Sequence, residues 1–283
     1  MNTIQFDYHV HSSFCDGKGE PEDYIKKAIE KNIKILGFSS HAPVPFETDW
    51  TMKQEKLADY IDTVQSLKTK YNGKFKILLG LEVDFIPGVM SCSSSINKQA
   101  LLDYTISSVH FLGKMQDGFN WTVDGSFDET NNGINYSFKG NAKEAVTAYY
   151  MRIMEMVETA PPDIIGHLDL IKINNKNNCF FEESDEWYRL LVDKTLKVIS
   201  NSDCAVEVNT GGITRNKIDA LYPSTWILKK SFELNIPLVI TSDSHNPEQI
   251  AGHFPKAVTE IKNAGYNKVV YFTDKGRAEY HLD

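Results

Sequence analysis

Four cysteines in 283 residues, at positions 15, 92, 179 and 204, form no CxxC pair and are too sparse for a disulfide framework. A reducing, cytoplasmic setting is therefore the expectation. No apolar run reaches the roughly 18–20 residues that cross a bilayer, so no membrane span is expected. The first residues, Met-Asn-Thr-Ile-Gln-Phe-Asp, lack the basic and apolar regions of a secretion signal. Basic charge is also short: 30 Lys and Arg against 38 Asp and Glu leave a net charge of −8. That balance argues against a protein that coats nucleic acid. It does not exclude an anionic substrate, because bound metal ions can reverse the local sign. A hydrophobic fraction of 41% and a charged fraction of 24% exclude disordered and fibrous chains.

Seven short apolar, β-branched segments read as strands: Gln5–Val10, Ile35–Ser39, Lys76–Val83, Tyr104–Val109, Ile164–Gly166, Ala205–Asn209 and Pro237–Thr241. Several are continuous apolar runs, the signature of parallel strands covered by helices. Helical patterns fall between them at Glu20–Lys31, Lys53–Tyr71, Ala142–Glu158, Ser184–Asn201, Pro223–Leu234 and Pro247–Ala264. Strand–helix alternation at this spacing means βαβ units. Seven of them predict an α/β fold in which residues 1–283 form one barrel domain. Two stretches break the rhythm. Residues 113–141, rich in Gly, Asn and Asp, read as a long loop, and 174–183 as a shorter polar insertion. Residues 268–283 read as a terminal hairpin.

Of the eight histidines, six (His9, His11, His41, His110, His167 and His245) sit at or just past the C-terminal end of a predicted strand. Asp16, Glu82 and Asp243 do the same. In a parallel barrel those ends converge on one face, where active sites are built. His9-Val-His11 and Asp243-Ser-His245 also place two ligands on one side of a strand, because i and i+2 point the same way. Any one of these residues alone is unremarkable; their coincidence is not. A cluster of imidazoles and carboxylates without a cation leaves buried charge and lone pairs uncompensated, which divalent metal resolves. Nitrogen and oxygen donors without thiolate suit Zn, Fe or Mn. Cys15, beside Asp16, reads as structural.

His9-Val-His11 with Asp16, Ser39-Ser40-His41-Ala42-Pro43, Gly80-Leu81-Glu82-Val83-Asp84, Ser108-Val109-His110, Gly166-His167-Leu168-Asp169 and Ser242-Asp243-Ser244-His245 resemble the ordered motifs of the PHP (polymerase and histidinol phosphatase) superfamily. The resemblance runs from residue 7 to about residue 255. It implies a distorted (β/α)7 barrel and a site for three divalent metal ions. The first ion would take His9, His11, Glu82 and Asp243. The second would share Glu82 and add His110 and His167. The third would take Asp16, His41 and His245. Many relatives carry His at the position of Asp16, so this chain offers the third ion a harder oxygen ligand.

The chemistry expected of such a site is in-line attack by a metal-bridging hydroxide on a phosphate monoester, with Asp243 or His245 managing the proton on the leaving oxygen. A phosphate dianion also calls for arginine. The chain has four, at 152, 189, 215 and 277. Glu207-Val-Asn-Thr-Gly-Gly-Ile-Thr-Arg215 resembles a segment of histidinol-phosphate phosphatases, which makes Arg215 the first phosphate-binding candidate. Arg152 is the second, and His253 is a further substrate contact. The motif wording is most similar to the monofunctional histidinol-phosphate phosphatases of histidine biosynthesis. For a substrate with an amine and an imidazole, Asp84, Glu47, Phe46 and Phe111 are candidate contacts by position. Alternatives are a PHP phosphodiesterase or nucleotidase, a PHP protein-tyrosine phosphatase, and a non-catalytic metal-binding domain. No basic run favours the nucleic-acid option, and every expected ligand position holds a competent residue.

Overall fold

A computed structural model describes residues 4–94 and 100–282. Seven parallel strands form one sheet: β1 (Phe6–Asp7), β2 (Ile35–Phe38), β3 (Lys76–Asp84), β4 (Tyr104–Ser108), β7 (Ile164–Ile165), β8 (Ala205–Asn209) and β9 (Leu238–Thr241), ordered β1-β2-β3-β4-β7-β8-β9. The sheet curls into a nearly closed barrel. β9 and β1 meet through an isolated parallel bridge between Val10 and Ser244, flanked by His11 N–H on Ser244 O (2.8 Å) and Ser244 N–H on His9 O (3.0 Å). The first strand is thus shorter than Gln5–Val10. Beyond Asp7 the chain leaves the regular ladder to β2 and turns toward β9, which brings His9 and His11 across the barrel mouth.

Helices cover the outside, and the local sequence explains their bounds. α1 (Pro21–Glu30) starts with proline in its first turn, where no N–H is needed. It buries Pro21, Tyr24, Ile25 and Ala28, one stripe at helical spacing. α2 (Leu57–Lys70) buries Leu57, Tyr60, Val64 and Leu67 against the same core as β2 and β3. The larger core gathers around β1, β4 and β7–β9. Inside it the Tyr104 hydroxyl donates to Tyr8 O (2.5 Å) and Phe38 O (3.0 Å), tying three strands together.

The stretch at 113–141 is not the loop its composition suggests. It holds the hairpin β5 (Phe111–Lys114) and β6 (Asn120–Thr122), then α3 (Phe127–Phe138). Ser126 and Glu129 form a reciprocal capping box at the start of α3, and Lys139 adopts a left-handed conformation at its end. Trp121 is fully buried against Gly133; a Cβ there would lie 2.1 Å from the indole, so only glycine lets the helix sit this close. Asn174, from the second insertion, donates to Gly125 O and Thr130 Oγ1, both at 2.8 Å. The segment is therefore docked to the barrel by packing and hydrogen bonds.

The remaining helices are α4 (Ala142–Thr159), α5 (Glu186–Ser200), the four-residue α6 (Gly211–Thr214), α7 (Thr225–Glu233) and α8 (Phe254–Ala264). The helix expected over Pro247–Ala264 is split. Pro247–Gln249 makes a 3-10 turn, and positive φ at Ala251 and His253 breaks the path before α8. β10 (Lys268–Thr273) and β11 (Gly276–His281) form the expected hairpin, which covers Phe6 and Tyr8 with Tyr271 and Phe272. Among the described residues no helix is long and apolar enough to cross a membrane.

Candidate metal centre

Strand ends deliver the predicted ligands to one point. His9 and His11 follow β1, His41 follows β2, Glu82 lies on β3, His110 follows β4, His167 follows β7, and Asp243 and His245 follow β9. Asp16 comes from the turn before α1. All nine candidates gather at the barrel mouth, and His9, His11 and Glu82 are at most 1% exposed.

Glu82 is the hub. Its Oε2 lies 3.1 Å from His9 Nε2, 3.5 Å from His11 Nε2 and 3.0 Å from His41 Nδ1. Its Oε1 lies 3.1 Å from His167 Nε2 and 3.7 Å from His110 Nε2. Asp243 Oδ1 is 3.3 Å from His11 Nε2 and 3.7 Å from His9 Nε2. Asp16 Oδ2 is 3.1 Å from His245 Nε2.

Donor atoms fall into groups within 4.8 Å of one another: His9, His11 and Asp243; Glu82, His110 and His167; and His11, Asp16, His41 and His245. The second group is one of the ligand sets expected from sequence; the first lacks the expected Glu82, and the third adds His11 to the expected Asp16, His41 and His245. A further group, His41, Asp84 and His110, overlaps them.

The donors fit divalent ions on a second count. Among the described residues, His9 Nε2, His11 Nε2, His41 Nδ1, Glu82 Oε2, Asp84 Oδ2 and Asp16 Oδ1 are all buried without a hydrogen-bond partner. Orphaned lone pairs converging in this way cost free energy that a cation would offset.

The electrostatics agree. Burial opposes the charge of Glu82, yet His41, His9 and His110 hold its carboxyl well below the usual carboxylate range. Burial likewise opposes Asp243, and Arg215, His9 and His11 hold it well below. His11 is driven well below the ordinary imidazole value by burial and by the neighbouring His245 and His41. Asp243 adopts φ of +49°, a left-handed conformation uncommon for a residue with a side chain and held here by its surroundings.

Behind the ligands stand carboxylates that orient them. Glu207, on β8 and fully buried, meets His9 Nδ1 at 2.5 Å and accepts the His167 N–H at 2.7 Å. Asp84 meets His110 Nδ1 at 2.9 Å. A carboxylate on one ring nitrogen fixes the tautomer and leaves the other free for metal. Sequence reasoning missed Glu207 in this role. It took Glu207-Val-Asn-Thr as a phosphate-loop landmark, although a carboxylate inside an otherwise apolar strand was the available signal. Asp84, a candidate substrate contact from sequence, is 1% exposed and does not line the cleft over the centre; its Oδ1 meets His110, and its Oδ2 has no hydrogen-bond partner among the described residues.

A cleft of about 1240 Å³ opens over the centre. Arg215 lines it from the end of α6. Its Nη2 donates to Asp243 Oδ2 at 2.7 Å, its Nη1 lies 2.8 Å from His245 Nδ1, and its Nε has no hydrogen-bond partner among the described residues. Phe46, Glu47, Trp50 and Phe111 also line the cleft. Trp50 stacks on Phe111 at 5.4 Å and meets His41 edge-on at 4.6 Å.

Two predicted contacts are not brought here. Arg152, on α4, turns its guanidinium to the Phe111 carbonyl and anchors the start of β5. His253 is an exposed residue at the start of α8 and does not line the cleft.

With this geometry in view, the chain can be set beside known proteins. The PHP domain model matches residues 7–211. The probable histidinol-phosphatase of Deinococcus radiodurans is 30% identical over 269 residues, covering 94% of this chain and 95% of that protein. The histidinol-phosphatase of Bacillus subtilis is 29% identical over 254 residues, covering 84% of this chain and 92% of its own length. Among solved structures, histidinol phosphate phosphatase from Lactococcus lactis, complexed with zinc, L-histidinol and phosphate, superimposes with a TM-score of 0.72. It is 22% identical, and the match covers 98% of this chain and 100% of that one. The family match, the barrel and the converging ligand set agree: this chain is a member of the PHP domain family.

Proposed function

We propose that the protein is a metal-dependent phosphomonoesterase that hydrolyses L-histidinol phosphate to L-histidinol and phosphate, the phosphatase step of histidine biosynthesis. The observation that carries this reading is the meeting of nine nitrogen and oxygen donors beneath a cleft with an aromatic and acidic wall. Relatives of near full-length match that bear the name histidinol-phosphatase support the substrate. The cleft also carries Glu47, Asp49, Asp124 and Glu129 beside Lys18, Lys114 and Lys217, a mixed lining rather than the basic track that a polyanion such as an oligonucleotide calls for.

His9, His11, Glu82 and Asp243 would hold one ion, Glu82, His110 and His167 a second, and Asp16, His41 and His245 a third. When bound, the ions supply Lewis-acid activation of water and neutralise charge on the phosphoryl group. The chain's own residues do the rest. Glu207 and Asp84 fix the imidazole tautomers. Arg215, oriented by Asp243, offers its guanidinium to a phosphate oxygen. Asp243 stays ionised, so it acts as ligand and orienter and not as an acid. His245, whose side chain is 15% exposed, stands at the open edge of the site, beside the place where the leaving oxygen would take up a proton.

The test is phosphate release from L-histidinol phosphate beside p-nitrophenyl phosphate, a phosphotyrosine peptide and short oligonucleotides, with Zn, Mn or Fe added. We expect kcat/KM to be orders of magnitude higher for histidinol phosphate. A preference for any of the others overturns the substrate. Arg215→Ala is expected to lower kcat/KM roughly tenfold to a hundredfold, mainly through KM, as for loss of a hydrogen bond between charged groups. An unchanged kcat/KM removes Arg215 from the phosphate site.

A further inference from the structure

Asp124 is a carboxylate without a hydrogen-bond or ion-pair partner among the described residues, in the wall of a cleft built for an anion. It follows β6, is half-buried and lines the cleft. Among the described residues no side chain or backbone group pairs with it, unlike Asp16, which meets His245, and Glu129, which caps α3. Its position is fixed from both sides. The Val123 N–H donates to His110 O at 2.9 Å, and the Gly125 carbonyl accepts from Asn174. The carboxylate is close enough to influence His110 on one side of the centre and Arg215 and Tyr222 on the other. Glu47 and Asp49 also face the cleft, but both are exposed and their charges are solvated.

A half-buried negative charge beside a phosphate site disfavours a phosphate monoester whose tail brings no cation to meet it. We infer that Asp124 is the specificity residue that receives the substrate's organic cation, so that the cleft selects cationic phosphate monoesters and disfavours neutral-tailed ones. The inference rests on the proposed function above and adds the residue that reads the substrate's tail. Asp84, which sequence position suggested for this task, is 1% exposed and does not line the cleft, and its Oδ1 is held by His110.

The experiment compares wild type with Asp124→Asn and Glu47→Gln on three substrates: L-histidinol phosphate, phosphoethanolamine (an amine without the ring) and p-nitrophenyl phosphate (no cation). Bound metal is measured in each preparation. In Asp124→Asn, kcat/KM should fall roughly tenfold to a hundredfold for histidinol phosphate, as for a lost charge-assisted contact. For p-nitrophenyl phosphate it should hold or rise, with metal content unchanged. A fall for phosphoethanolamine as well assigns the contact to the amine; its absence assigns it to the imidazolium. An equal loss on all three substrates with lost metal would make Asp124 part of the metal machinery and overturn the inference. So would unchanged selectivity, or the same selectivity loss appearing in Glu47→Gln instead. A wild type indifferent to histidinol phosphate would defeat the proposed function alone. The phosphoethanolamine to p-nitrophenyl phosphate ratio in Asp124→Asn, relative to wild type, would still decide the role of Asp124.

Discussion

Replacing Glu82 by glutamine should abolish turnover, lowering kcat/KM by about a thousandfold or more, while the barrel stays folded. A thousandfold loss corresponds to ~4 kcal/mol of transition-state stabilisation. The two Glu82 oxygens stand 3.0–3.7 Å from five imidazoles drawn from four strand ends. Ser108 Oγ donates to Oε1 at 2.6 Å, which sets the plane of the carboxylate. Glutamine keeps the volume, so no cavity opens. It loses the charge and one acceptor, so it cannot serve two ions at once, and its NH2 faces imidazole nitrogens that should be acceptors toward metal. Elemental analysis of the purified variant should show at least one ion missing, and its circular dichroism should match wild type. Full activity at full metal content would remove Glu82 from the centre of the scheme.

Stripping the metal should be as severe for activity, and its effect on stability should depend on pH in a definite direction. In the metal-free chain burial works against a charged His110, but Asp84 and Glu82 outweigh it and raise its pKa from 6.5 to about 10. A raised pKa of this kind stabilises the fold fully below 6.5, and the contribution is lost as pH rises toward 10. Metal requires the neutral ring, so it competes with that proton. Metal affinity should therefore climb between pH 6.5 and 10. The Tm difference between loaded and stripped protein should widen over the same range. Zinc titration at pH 7.5 in two buffers of different ionisation heat should report net proton release. Zero protons released, or a Tm gap that narrows with rising pH, would contradict the placement of His110 in the metal set.

Much of this was legible in the sequence because parallel strands announce themselves as apolar runs and their C-terminal ends share one face. Ile35–Phe38 and Ala205–Asn209 needed only that rule, and the i, i+2 spacing of His9 and His11 needed only strand geometry. The supporting groups were harder. Glu207 lies 198 residues from His9, and their meeting depends on how far the sheet curls, which no local pattern encodes. Asp124 was hidden in a stretch whose Gly and Asn content suggested loop. The competing signals there were the Ser126–Glu129 capping box and the indole seated on Gly133. Arg152 was hard to place for the opposite reason. The scarcity of arginine made it a candidate phosphate contact, but the carbonyl it satisfies belongs to an irregular strand whose position the sequence did not disclose.

The isolated bridge between Val10 and Ser244 bears on how this fold can change over evolutionary time. The joint that closes the barrel and its reactive centre are one place, since His9, His11, Asp243 and His245 flank the same two bridge residues. A substitution there is judged twice, once for holding the ring shut and once for holding its ions. The stretch at 111–138 and the turn at 46–50 lie outside that joint, with packing and hydrogen bonds of their own. New substrates can therefore be explored by redrafting those walls while the seam stays as it is, and divergence within such a lineage should collect in the walls and spare the clasp.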